Sequence, residues 1–101
     1  MANTKIKEIV EFAAPEGIGA EDVLRGIHVL KAFYQQKEGF YGLEVGVEEN
    51  GQWVLLLDWA SVADERAASV AMMQSAETTA FKQVVDPKTV SKRLLELCSL
   101  A

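Results

Sequence analysis

The chain has 101 residues, 50% of them apolar and 25% charged, with one Cys, seven Gly and two Pro. That is the composition of a single soluble globular domain spanning 1–101, and it excludes disorder, a collagen-like repeat and a disulfide scaffold. Ten Lys and Arg against 15 Asp and Glu leave a net charge of −5 with no basic run, so nucleic acid and anionic lipid are poor partners. The first residues, Met1-Ala-Asn-Thr-Lys-Ile-Lys-Glu8, carry charges where a secretory signal needs an apolar stretch. The longest apolar run, Trp53-Val-Leu-Leu-Leu57, is far too short to span a bilayer. Cys98 fits either a reducing cytoplasm or a small apolar filler near the C-terminus, and the expected location is cytoplasmic, without a membrane segment.

In chain order, Lys5 to Phe12 read as a strand with Ile6, Val10 and Phe12 on one face and Ile9 and Glu11 on the other. Pro15, Gly17 and Gly19 mark a connection, and Gly17-Ile-Gly19 is a turn because it lacks the full glycine pattern and the Lys of a phosphate loop. Glu21 and Asp22 open a helix whose apolar stripe is Val23, Gly26, Ile27, Leu30, Phe33 and Tyr34, with Gly39 placed as the residue that ends it. Phe40 to Glu48 alternates as a half-buried edge strand, Asn50-Gly51 supplies a hairpin turn, and Gln52 to Ala60 returns. Ser61 caps a second helix with Ala67, Val70, Ala71, Phe81, Val84 and Val85 on its apolar side, broken near Ser75 and stopped at Asp86-Pro87. Val90, Leu94, Leu97 and Cys98 suit a helix, while Thr89-Val-Ser91 favours a strand; topology decides for a strand, which completes an α+β, ferredoxin-like βαββαβ unit with a four-stranded antiparallel sheet.

The return strand differs from its partner. Trp53, Leu55, Leu57 and Trp59 are apolar on one face and Val54 and Leu56 on the other, which places it centrally in the sheet with both faces dry. Two helices can cover one face only. Each exposed Leu- or Ile-sized side chain forgoes roughly 1.5–3 kcal/mol of burial, so the expected cover for the second face, which also carries Ile9, is another copy of the chain, packed sheet to sheet as a homodimer.

Two segments carry a family resemblance across roughly residues 5 to 100. Glu38-Gly-Phe-Tyr-Gly-Leu-Glu44 closes the first helix and opens the second strand, and Leu57-Asp-Trp-Ala-Ser-Val-Ala-Asp64 closes the third. The first resembles the "pGF-x-G" entry, and the second the "W-x-S-x-e" strand end, of the dimeric α/β barrel group typified by antibiotic biosynthesis monooxygenases, with Glu38 at the position of the Pro. The resemblance implies a ferredoxin-like subunit, a dimer and a small pocket between helices and sheet. It does not imply one reaction, since relatives include cofactor-free oxygenases, haem-degrading oxygenases, isomerases and proteins of no known activity.

One His and one Cys far apart cannot assemble a zinc-type ligand set. The haem-degrading relatives need a His late in the second helix, where this chain has Met72, Met73, Gln74 and Ser75, and their helical Trp matches about Ala68; neither metal nor any other cofactor is expected. His28 falls on the helix side away from Ile27 and Leu30 and reads as a solvated surface residue. Polar groups in apolar strands are more informative. Glu11 and Asp58 are candidate general bases for an acidic phenol or enol, because desolvation raises a carboxyl's pKa. Tyr34, Tyr41, Trp53 and Trp59 are candidate flat walls for an aromatic ligand, with Met72, Met73 and Gln74 lining the same space. The alternative is that both carboxylates are solvated strand ends and the aromatics are core. Three readings follow: a dimer that binds a small apolar or aromatic molecule, which the family resemblance implies it oxidises with O2 and no cofactor; a non-catalytic ligand-binding or assembly domain; and a regulatory subunit of a larger complex.

Overall fold

A computed structural model describes residues 5–100. Strand β1 (Ile6–Phe12) leads into helix α1 (Ala20–Tyr34), the hairpin β2 (Phe40–Val47) and β3 (Trp53–Trp59), helix α2 (Val62–Gln74), the short helix α3 (Thr79–Lys82) and strand β4 (Ser91–Glu96). Every pairing is antiparallel and the sheet order is β2-β3-β1-β4. The fold is therefore α+β and ferredoxin-like, with both long helices on one sheet face. The tail is a strand, paired with β1 from Ile6↔Glu96 to Glu11↔Ser91. Among the described residues no helix is long and apolar enough to cross a membrane.

The expected stripe of α1 is the buried one: Val23, Gly26, Ile27, Leu30, Phe33 and Tyr34 all face the sheet. They meet Ile6, Phe12, Leu55, Leu57 and Trp59 in one core. Strand β3 lies between β1 and β2, as its two apolar faces require, and β2 is an edge. His28 is exposed, as its helical position implies. Cys98 is also exposed, beyond the end of β4, which corrects its reading as a packed filler.

Two further expectations need correction. Helix α1 ends at Tyr34, where the Gln35 N–H still reaches the Lys31 carbonyl at 2.9 Å, so Gly39 does not terminate it. Gly39 instead turns the chain into β2 with φ +81, its carbonyl accepts the Ala60 N–H at 2.8 Å, and a Cβ there would run into the Asp64 carboxylate. The second helical segment packs Ala71, Phe81, Val84 and Val85 on the core as predicted, but within α2 Ala67 and Val70 face outward. Glu65 and Ala68 are buried, Ala71 and Met72 half-buried, and Val70 is 57% exposed. The Ser61 hydroxyl accepts the Asp64 N–H at 3.1 Å and sets the helix start, and Lys92 on β4 ion-pairs with the inward Glu65 carboxylate.

The break after α2 has a defined cause. Its final carbonyls are gathered by Lys82, whose Nζ donates to Met72 O at 3.3 Å, Met73 O at 3.1 Å and Ser75 O at 2.9 Å. The buried Thr78 hydroxyl adds bonds to Met72 O at 2.6 Å and Ser75 O at 3.1 Å. A cation on the C-terminal carbonyls compensates the helix dipole and holds the Met72–Met73 turn in place. Gly39→Ala should destabilise the protein by at least about 1–2 kcal/mol, because the left-handed backbone alone costs that for a residue with a Cβ; urea unfolding against wild type measures it.

Candidate functional site

Between the sheet and the helices lies a cavity of about 460 Å³. Protein cores fill themselves to near-crystalline density, and a space of this size falls within the roughly 300–1,000 Å³ range of small-molecule sites. Phe12, Leu55 and Leu57 form its sheet wall, while Met72, Met73, Phe81 and Val85 close the helix side. Glu8, Tyr34, Ser69 and Lys92 form one polar end, and Lys82 adds a further cationic group to the lining.

Glu8 is the centre of that end. Alternation in β1 puts it on the same face as Ile6, Val10 and Phe12, and its side chain points into the interior, 4% exposed. Its Oε1 accepts the indole N–H of Trp59 at 2.9 Å. Its Oε2 lies 3.6 Å from the Lys92 ammonium. Lys92 also ion-pairs with Glu65 and donates to the Ser69 hydroxyl at 3.3 Å. Glu65 is 1% exposed, and neither of its carboxylate oxygens accepts a hydrogen bond among the described residues. The contact with Lys92 is thus one of charge, without a directed hydrogen bond.

Two carboxylates facing one ammonium leave one negative charge uncompensated in apolar surroundings, and such a charge is costly to hold. That cost favours the protonated form of Glu8. Burial pushes its pKa above the ordinary value; the Trp59 N–H and the Lys92 ammonium pull it back, and the charge of Glu65 raises it again. Burial, then the charges of Glu8 and Glu65, push the Tyr34 phenol up as well, so it stays a neutral donor at the cavity wall. Its ring stands edge-on to Trp59, centroids 5.1 Å apart, which fixes where the hydroxyl lies.

The residues singled out from the sequence divide between two sides of the sheet. Tyr34, Met72 and Met73 line the cavity. Trp59 is fully buried behind it and acts on it through the bond to Glu8. Trp53 sits at the far end of β3 opposite Phe12, Gln74 is exposed at the end of α2, and Tyr41 is 63% exposed beside the bulge in β2. Glu11 and Asp58 both point to the outer sheet face. There Glu11 pairs with Arg93 at 3.2 Å and Asp58 with Lys7 at 2.8 Å. Neither carboxylate lines the cavity, because β1 and β3 alternate and the inward positions beside them belong to Glu8, Leu57 and Trp59. The carboxyl at the cavity is Glu8, which the sequence reading passed over although its i±2 neighbours, Ile6 and Val10, announced an inward position.

The shift of Glu8 has a consequence for stability. A carboxyl whose pKa is higher folded than unfolded binds more protons in the native state, so stability falls as pH rises through the window from about 4.5 up to the folded value. Glu8→Gln keeps an acceptor for Trp59 and removes the titration. Denaturation at a series of pH values should show wild type losing stability across that window and the variant without that slope.

No protein-family model and no curated protein matches this sequence. Solved structures do match it along nearly its whole length. SnoaB, a cofactor-independent oxygenase from Streptomyces nogalater, is 14% identical with a TM-score of 0.73, covering 95% of each chain. A dimeric ferredoxin-like protein of unknown function from Thermobifida fusca is 13% identical with a TM-score of 0.71, covering 94% of this chain and 92% of its own. A Caulobacter crescentus protein provisionally described as an antibiotic biosynthesis monooxygenase is 10% identical with a TM-score of 0.72, covering 96% and 92%. The chain thus shares the ferredoxin-like fold of these solved structures.

Proposed function

We propose that the chain is one subunit of a cytoplasmic homodimer that takes a small apolar or aromatic molecule into the cavity and oxidises it with O2, Glu8 serving as the base. The observation that carries this reading is Glu8 itself, a buried carboxyl that lines an apolar space beside Tyr34, Ser69 and Lys92 and whose pKa burial raises. A carboxylate of raised pKa is a stronger base than an ordinary one, and a dry wall strengthens every charge interaction around it. Glu11 and Asp58, the bases expected from the sequence, take the part of ion pairs on the outer face.

The chemistry balances on an anthrone- or quinol-type substrate. For an anthrone, Glu8 removes a proton from the acidic carbon, and the Lys92 ammonium and Tyr34 hydroxyl stabilise the enolate oxygen. The carbanion gives an electron to O2 and the radicals combine in a C–O bond. The proton held by Glu8 passes to the peroxide. Loss of the second proton from the same carbon breaks the O–O bond, leaving a carbonyl and one water. Met72 and Met73 adapt the wall to the substrate's shape. The fold shared with an oxygenase supports this reading.

The dimer is argued from the other side of the sheet. Ile9, Val54 and Leu56 are half-buried and Leu95 is 45% exposed, forming an apolar strip between the Lys7–Asp58 and Glu11–Arg93 ion pairs. Gly42 and Gly46 leave open space on β2 beside it. A second copy laid on this face buries the strip and leaves the ion pairs at its rim. The fold of a dimeric ferredoxin-like protein supports that arrangement. The lone Cys98 fits a reducing cytoplasm.

The second reading, a non-catalytic binding or assembly domain, draws on the same apolar strip, which needs no reaction to explain it. Oxygen uptake with anthrone and quinol substrates separates the two. The oxygenase should turn over, and Glu8→Gln should lower kcat/KM by at least about 100-fold; ligand binding with no turnover across the panel supports the binding domain. For the dimer, sedimentation at micromolar concentration should show two subunits in wild type and one after Leu56→Lys. A wild-type monomer would contradict the sheet-to-sheet assembly.

A further inference from the structure

We infer that Glu65 is a positioning residue, whose ion pair with Lys92 holds the ammonium off Glu8 and so leaves Glu8 as the free proton acceptor of the cavity. This rests on the role of Glu8 proposed above.

The geometry is one of divided attention. Lys92 belongs to β4, Glu8 to β1 and Glu65 to α2, so three separate elements bring the groups together. Lys92 is in contact with Glu65 but 3.6 Å from Glu8, beyond a strong charge-assisted hydrogen bond. Its remaining bond, to Ser69 on α2 at 3.3 Å, pulls the same way. Without Glu65 the ammonium would settle on Glu8, whose carboxylate would then be quenched in a closed pair of equal and opposite charges. With Glu65 present, the closest partner of Glu8 is the Trp59 indole N–H on Oε1, and Oε2 keeps only the longer approach of Lys92.

Glu65 has no other evident reason to be there. A carboxylate that is 1% exposed and accepts no hydrogen bond is a poor stabiliser, and an apolar residue would serve the α2 packing better. On α2 the apolar Val70 is exposed while Glu65 faces inward. The groups facing Glu8 are Trp59 from β3, Lys92 from β4, Glu65 from α2 and the Tyr34 phenol from α1. Of these, Glu65 alone both repels a charge on Glu8 and competes for its counter-ion, so its two effects have the same sign.

The test titrates Glu8 directly by NMR of protein carrying ¹³C-labelled Glu carboxyls, the Glu8 signal being the one lost in Glu8→Gln. In Glu65→Gln the Glu8 midpoint should fall by about 1–3 in pH, the size of effect an unshared opposite charge has on a carboxyl. In Lys92→Met it should rise. A midpoint unmoved or raised in Glu65→Gln overturns the inference, and so does a midpoint that fails to rise in Lys92→Met, which carries the test if the first variant does not fold. In turnover assays the acid limb of kcat/KM should move with the midpoint. The titration needs no substrate: if Glu8 responds as described while no substrate is oxidised, the oxygenase reading fails and the role of Glu65 stands.

Discussion

Lys92 reaches from β4 into the sheet–helix interior and meets carboxylates from two other elements, Glu8 of β1 and Glu65 of α2. Most of what distinguishes this molecule from a plain two-layer fold follows from that shortage of positive charge. A buried ion pair seldom adds stability, since desolvation offsets the attraction, and a cluster with two anions and one cation is worse placed still. The cluster is tolerated because a proton can take the place of the missing cation, and the carboxyl that holds it stands at the mouth of an apolar space. A fold optimised only for stability would have an apolar residue at 65 and a side chain filling the cavity.

The rest of the architecture serves to hold that end rigid. Trp59 is buried, donates to Glu8, and is braced edge-on by Tyr34 and Phe40, with ring centroids 5.1 and 5.2 Å away. The opposite wall depends on Lys82, which collects the last carbonyls of α2 and ends that helix where Met72 and Met73 face the space. Rigid aromatic support on the sheet and adaptable thioethers on the helix suit a site that places one reacting group firmly and accepts variation in the rest of its ligand.

Much of this was legible in the sequence, for identifiable reasons. The stripe of α1, the Asn50-Gly51 hairpin and the two-sided apolar pattern of residues 53–59 are signals of periodicity and turn chemistry, and they led directly to a ferredoxin-like order with β3 inside and β2 at an edge. The strand at 91–96 came from topology where local pattern was divided. The polar end of the cavity was harder. Glu11 and Asp58 drew attention because they sit at the ends of apolar strands, yet alternation sends both outward to Arg93 and Lys7. Glu8 stood in the sequence at the centre of an inward set, Ile6-x-Glu8-x-Val10-x-Phe12, and a strict reading of period two would have found it. Glu65 was not readable, because the apolar pattern of α2 is weak and the partner of the inward carboxylate lies on β4, 27 positions later in the chain.

The central claim is that Glu8 gives up its proton at a higher pH than a solvated Glu does. The most direct measurement is infrared spectroscopy of the protonated carboxylic acid band in wild type and Glu8→Gln, followed upward in pH through the range in which ordinary carboxyls ionise. The account predicts a band from a buried, protonated carboxyl in wild type that is missing from the variant. Identical spectra, with every carboxyl of the wild type already ionised, would contradict it.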